Sequence, residues 1–191
     1  MKDLEQIHNE RINKHISLVR HFLEVFSSSE LASELDFSFF DAQRIGKEHD
    51  KDKTKGGEVY DQYCVISYLY HCKLNDIECD LEYTPDLDDA TREHINNNKH
   101  HPEYWDKNYD PGTAQVVVDF KDRDKTKGNS RDGRDMDDES IIEMCCDWAA
   151  TGIERGNKGK DWADRCRKDS RYIFTDIQWE FIYKVLEIIE D

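Results

Sequence analysis

The sequence predicts one mainly helical domain, and three observations carry that expectation. Ile12, Ile16, Val19 and Leu23 recur at spacings of four, three and four residues, and Ile141, Met144, Cys145 and Trp148 repeat a helical period near the other end. Only one run, Ala114 to Phe120 (AQVVVDF), has β character, enough for a small hairpin. At 191 residues the chain fits a single domain, 1–191, and is long enough to bury a core. Hydrophobic residues make up 37% and charged residues another 37%, with 11% aromatic, which predicts a compact core under a heavily solvated shell.

The elements follow in order. The first helix runs from about Asp3 to Phe26 and is ended by Ser27, Ser28 and Ser29. A short segment, Leu31 to Ile45, leads through Gly46 to the pair His49-Asp50, and Gly56-Gly57 then breaks the chain. A second long helix is expected over Glu58 to Lys73. The acidic stretch Asn75 to Leu87 contains Pro85, lacks a period and reads as a loop or insertion. Helical signal returns from Asp88 to Asn98. Lys121 to Asp137 is charged and Gly-punctuated, so it reads as mobile, and a second insertion is expected over about 111–134. Asp138 to Ile153 is helical, Asp161 to Arg167 forms a short helix around Trp162, and Thr175 with Gln178 makes a capping box for a last helix with Ile177, Phe181 and Leu186 on its apolar side.

Charge and cysteines narrow the function classes. A net charge of -16 opposes a broad nucleic-acid surface, because phosphate backbones are held by clustered Lys and Arg. The basic segment Lys121 to Arg134 is interleaved with Asp122, Asp124 and Asp132 and offers no stacking aromatic beyond Phe120. Six Cys without a CxxC pair read as core thiols in a reducing, intracellular setting. The opening MKDLEQIHNERINKH carries charges where a signal peptide needs an apolar run, and no eighteen apolar residues follow one another. A soluble, cytoplasmic protein with no membrane partner is therefore expected. Asp50 to Gly57 is echoed at Asp122 to Asn129, but Lys55 and Lys127 stand where a calcium loop needs Gly, so both read as solvated turns. No P-loop, GxSxG elbow or HExxH helix is present.

Adjacent imidazole and carboxylate groups can reach one cation from a helix end, and His49-Asp50 is such a pair. His15 lies beside the stripe of Ile12 and Val19, whereas His21 points elsewhere. Asp147 flanks the stripe of Ile141, Met144 and Trp148, where an unpaired carboxylate would be costly. Mixed His and Asp ligands suit Mn, Ni, Co, Zn, Fe or Mg without selecting among them. A second cluster, Glu93-His94 to His100-His101-Pro-Glu-Tyr-Trp105, fits a helix end facing a second metal or phosphate oxygens.

Four blocks in this order resemble a phage-associated family of HD-like proteins: His15-Ile16 with Val19, then HDKDK at His49 to Lys53, then His94, Asn98 and His100-His101-Pro-Glu-Tyr-Trp105, then Glu143-Met-Cys-Cys-Asp147-Trp148. Asp52 departs from the Ser that the family often carries. The resemblance covers most of the chain outside 75–87 and 111–134. It implies an HD-type helical bundle and the wider superfamily's chemistry, metal-dependent hydrolysis of phosphate esters, commonly nucleotides. It also implies that His15, His49, Asp50 and Asp147 hold the metal, with Lys53, His94, His100 and His101 facing the same pocket as catalytic candidates. A small phosphorylated substrate is the expected partner, in the host cytoplasm if the protein is viral. The rival expectation is a non-catalytic, metal-stabilised interaction protein of viral origin.

Overall fold

The computed structural model describes residues 4–108 and 130–191. Its first and longest element, α1 (Leu4–Ser27), buries Ile12, Ile16, Val19, Leu23 and Phe26 along one side. At about 1.5 Å per residue, its 24 residues make a rod of about 36 Å. Around it pack α3 (Phe39–Glu48), α4 (Tyr60–Leu74), α7 (Asp138–Arg155) and α9 (Asp176–Glu190). The main core joins α1 to α7, α8 (Gly159–Lys168) and α9 through Leu23, Phe26, Ile141, Met144, Ile182 and Leu186, all shielded from solvent. A smaller apolar cluster, Val59, Tyr63, Ile66, Leu87 and Ala90, ties α4 to α5 (Pro85–Asn97).

The described residues are thus mainly helical, with one sheet of two very short strands. That sheet is a parallel pairing of β1 (Arg131–Asp132) with β2 (Tyr172–Ile173). The hairpin expected at Ala114 to Phe120, and the second copy of the Asp-rich repeat, lie outside the described residues.

Local chemistry explains where the chain turns. Ser29 caps α2 (Glu30–Glu34), accepting from the Ala32 backbone N–H. Ser38 and Asp41 form a capping box that starts α3, so the segment leading to His49 is two helices separated by a turn. Gly46 sits inside α3 instead of interrupting it: a Cβ there would lie 2.6 Å from Cγ of Arg20, so the glycine permits a close crossing of α3 over α1. The expected capping box of Thr175 and Gln178 starts α9.

Two boundaries shift. The expected loop over Asn75 to Leu87 ends earlier, because Pro85 occupies the first turn of α5 and Asp86 and Asp88 complement its N-terminal dipole. Leu87 becomes a core residue, 1% exposed. Ile177 is 79% exposed, and the buried side of α9 is Trp179, Ile182, Val185, Leu186 and Ile189. Ile177 lies on the side of the first turn turned away from the core, while Phe174 and Trp179 on either side of it are buried.

Candidate metal centre

Four elements converge on Asp50. Helix α3 ends at His49, and Asp50 follows in the left-handed region with φ 54° and ψ 24°. That conformation is uncommon outside Gly, Asn and Asp, and it folds the chain sharply into the 3-10 turn Lys51–Lys53. The reversal leaves His49 and Asp50 both buried, at 2% and 1% exposure.

On one side of Asp50, His15 from α1 places Nε2 3.7 Å from Asp50 Oδ2 and 2.9 Å from Asp147 Oδ1 of α7. His49 Nε2 lies 3.4 Å from His15 Nε2 and 3.9 Å from both Asp50 Oδ2 and Asp147 Oδ1. A cation bound tetrahedrally at about 2.1 Å holds its ligand atoms about 3.4 Å apart, so these spacings match such a cage. The other oxygen, Asp50 Oδ1, faces His94 Nε2 at 3.4 Å and His100 Nε2 at 3.8 Å. His101 Nε2 completes this side, 2.9 Å from His94 Nε2. The carboxylate of Asp50 therefore stands between two half-sites. All four metal ligands and all four pocket residues expected from the sequence are brought together here.

The outer contacts orient the rings. His49 Nδ1 donates to Glu143 Oε1 at 2.8 Å, and His100 Nδ1 lies 3.2 Å from the same oxygen, so one carboxylate serves both half-sites. His94 Nδ1 donates to Asp52 Oδ2 at 2.8 Å, and His15 Nδ1 faces Glu154 Oε1 at 3.4 Å. Carboxylates behind metal-ligating imidazoles fix the tautomer and raise basicity, and here each leaves Nε2 aimed at Asp50. His100 Nε2 is buried with no hydrogen-bond partner among the described residues, an orphan that a cation would satisfy.

Charge follows geometry. Burial opposes a proton on His15, but the hydrogen bonds and charges of Asp147, Glu154 and Asp50 overcome it and push its pKa up to about 10. Burial likewise opposes ionisation of Glu143, yet His100 and His49 pull its carboxyl down to about 2. The opposite happens at His94, which burial and Lys53 lower to about 4, leaving a neutral ring at neutral pH. The carboxylate-rich half-site attracts a cation, while on the other side His94 and His101 offer neutral rings beside His100, whose pKa is raised against burial by the charge of Glu143. The donor set therefore fits a divalent ion.

Lys53 is held beside the centre, donating to Asp50 Oδ1 at 3.1 Å and Oδ2 at 3.0 Å, with its ammonium over the Tyr63 ring at 4.9 Å. His8 Nε2 donates to the Lys53 carbonyl at 2.7 Å, which leaves His8 Nδ1 to accept from Ser67 at 2.9 Å. An open cavity of about 140 Å³ borders the centre and is lined by α1, α4 and α7, including Arg11, Lys53, Ser67, Thr151 and Arg155. Sequence reasoning passed over Glu143, Glu154, His8, Arg11 and Arg155 as site residues. Their signal was helical spacing: Glu143 lies four residues before Asp147 and Glu154 seven after it, while Arg11 and His8 precede His15 by four and seven.

Fold and site together define a helical-bundle protein whose buried His and Asp clusters can hold a metal ion. The chain belongs to a family described as "Family of unknown function (DUF5662)", whose model matches residues 4–188. No curated protein and no solved structure matches it. Among the described residues no helix is long and apolar enough to cross a membrane.

Proposed function

We propose that this protein is a metal-dependent phosphohydrolase of the HD type, acting on a small phosphate ester such as a nucleotide. The observation that supports it most is the position of Asp50, with one carboxylate oxygen toward each of two half-sites and an open cavity lined by Arg11, Lys53 and Arg155 beside them. A purely structural cation needs a closed cage, whereas catalysis needs an open side. His15, His49, Asp50 and Asp147 would hold one divalent cation, and His94, His100 and His101 would face a second cation or the substrate. When bound, a divalent cation supplies Lewis acidity, polarising water and a phosphoryl oxygen.

The chain's own groups do the rest. Lys53 Nζ, half-buried beside Asp50, offers N–H donors to a phosphate oxygen and balances charge that grows there in the transition state. His101, whose basicity is lowered by burial and by His100 and His94, stays neutral at physiological pH and takes up a proton only transiently. Glu143 and Asp52 keep His49, His100 and His94 from rotating.

The test is a phosphate-release screen. Metal-stripped protein is resupplied separately with Mn, Ni, Co, Zn, Fe or Mg and offered nucleoside mono-, di- and triphosphates, with Asp50→Ala as control. Release that needs both the ion and Asp50 is expected. Silence from folded, metal-loaded protein across the panel would overturn the hydrolase and favour a non-catalytic interaction protein.

A further inference from the structure

The cavity extends well beyond the metal centre, along antiparallel helices. His15 of α1 meets Asp147 of α7 at 2.9 Å, and one turn earlier on α1, Arg11 meets Glu154 of α7 at 3.9 Å. Arg11 therefore stands about 6 Å along the wall from His15, and Arg155, eight residues past Asp147, about 12 Å along the opposite wall. Both arginines line the cavity.

Arg11 is held in place. Its Nη1 donates to Ser67 at 3.3 Å, Nη2 faces Glu154, and the guanidinium lies over the Tyr70 ring at 4.9 Å. Its side chain nevertheless remains 39% exposed, so N–H groups are left for another acceptor. Ser67 passes the connection on through His8 to the carbonyl of Lys53. Arg155 is exposed and forms no ion pair among the described residues, although the chain carries a net charge of -16. Once Asp50 and Asp147 are balanced by a divalent cation, the wall presents Arg11, Lys53 and Arg155 against the single carboxylate of Glu154. Lys53 stands at the centre itself, and Arg11 with Arg155 against Glu154 leaves a further positive charge at the far end, away from the reacting group.

We propose that Arg11 and Arg155 form a second anion subsite, so that the preferred substrate is doubly anionic: a phosphate ester cleaved at the centre whose remaining part carries its own phosphate or carboxylate. This rests on the hydrolase reading above for the cleaved group, while the subsite itself concerns binding. A cavity of about 140 Å³ admits the phosphate and a short linker. It is smaller than the ~300–1,000 Å³ that usually enclose a drug-sized ligand, so the far end of the ligand meets the arginines at the mouth.

Matched ligand pairs test the subsite. Fructose 6-phosphate is compared with fructose 1,6-bisphosphate, and glucose 6-phosphate with 6-phosphogluconate, by titration calorimetry on metal-free and metal-loaded protein. Each pair keeps its carbon chain length and differs by one added anion, phosphate in the first and carboxylate in the second. We expect the doubly anionic member of at least one pair to bind about tenfold tighter, and the gain to vanish in Arg11→Gln/Arg155→Gln while metal affinity stays unchanged. Whichever pair shows the gain names the second anion. Equal affinity within both pairs, including no binding by any member, would overturn the subsite, as would a gain that survives the double substitution. Hydrolysis without discrimination would sink the subsite and spare the hydrolase; selective binding without any turnover would do the reverse.

Discussion

Asp52 Oδ2 accepts from His94 Nδ1 at 2.8 Å, and that contact decides which nitrogen of His94 faces Asp50. Asn98 Nδ2 donates to the same oxygen at 3.0 Å, so Asp52 is a fixed acceptor. Removing it with Asp52→Ala should weaken cation binding at the His94 side by about 10–100-fold without unfolding the protein. Metal titration calorimetry reads this directly, and affinity equal to wild type would reduce Asp52 to a turn residue.

Asp50 serves both half-sites, so its loss should remove both at once. Adding a divalent ion should raise the melting temperature of the wild type, because binding to the native state alone stabilises by about 2.7 kcal/mol at a hundredfold excess over Kd. Asp50→Ala should show no such rise. An equal rise in both proteins would place the ion elsewhere.

Glu103 makes the stability depend on pH. Its Oε2 is buried without a partner among the described residues, and burial raises its pKa above the ordinary Glu value. A carboxyl raised in the folded state contributes its full stability below the unfolded pKa and loses it as pH rises through the folded one. Glu103→Gln should therefore be more stable than wild type at neutral pH, and the gap should close as the pH falls toward the ordinary carboxyl range, about 4. Thermal melts across that range check the sign, and a gap that widens on acidification would contradict it.

Gly159 and Gly156 should respond differently to alanine. A Cβ on Gly159 would sit 2.8 Å from Ala149 N and 3.0 Å from Ala149 Cα, backbone that cannot yield without moving α7. Gly159→Ala should cost about 1–3 kcal/mol through overpacking. At Gly156 the Cβ meets nothing, and only the φ of 73° opposes it, so Gly156→Ala should cost about 1 kcal/mol. Denaturant melts separate the two, and equal small losses would mean that the α7–α8 crossing is pliant.

Much of this was legible because helices advertise their faces. The stripe of Ile12, Ile16, Val19 and Leu23 marks the buried side of α1, and His15 beside it arrives where a ligand is wanted. His49-Asp50 was legible as a pair, but the left-handed turn that aims Asp50 between two half-sites was not, since an Asp in that conformation leaves no periodic trace. Ile177 shows the converse: apolar chemistry at a helix start says nothing about whether a neighbour reaches it. The pairing of Arg131 with Tyr172 joins residues forty-one apart through two-residue strands, too short for any alternation to appear.

The contact between His15 and Asp147 has a last consequence for the life history of the polypeptide. During synthesis the opening helix must wait for more than a hundred further residues before its histidine finds that carboxylate. Ion capture at this site would then be a late event, a latch that closes after the rest has assembled. A protease nick between the two residues should release the latch only if the pieces part, so retention of the ion after cleavage would measure how firmly the nicked halves still hold each other.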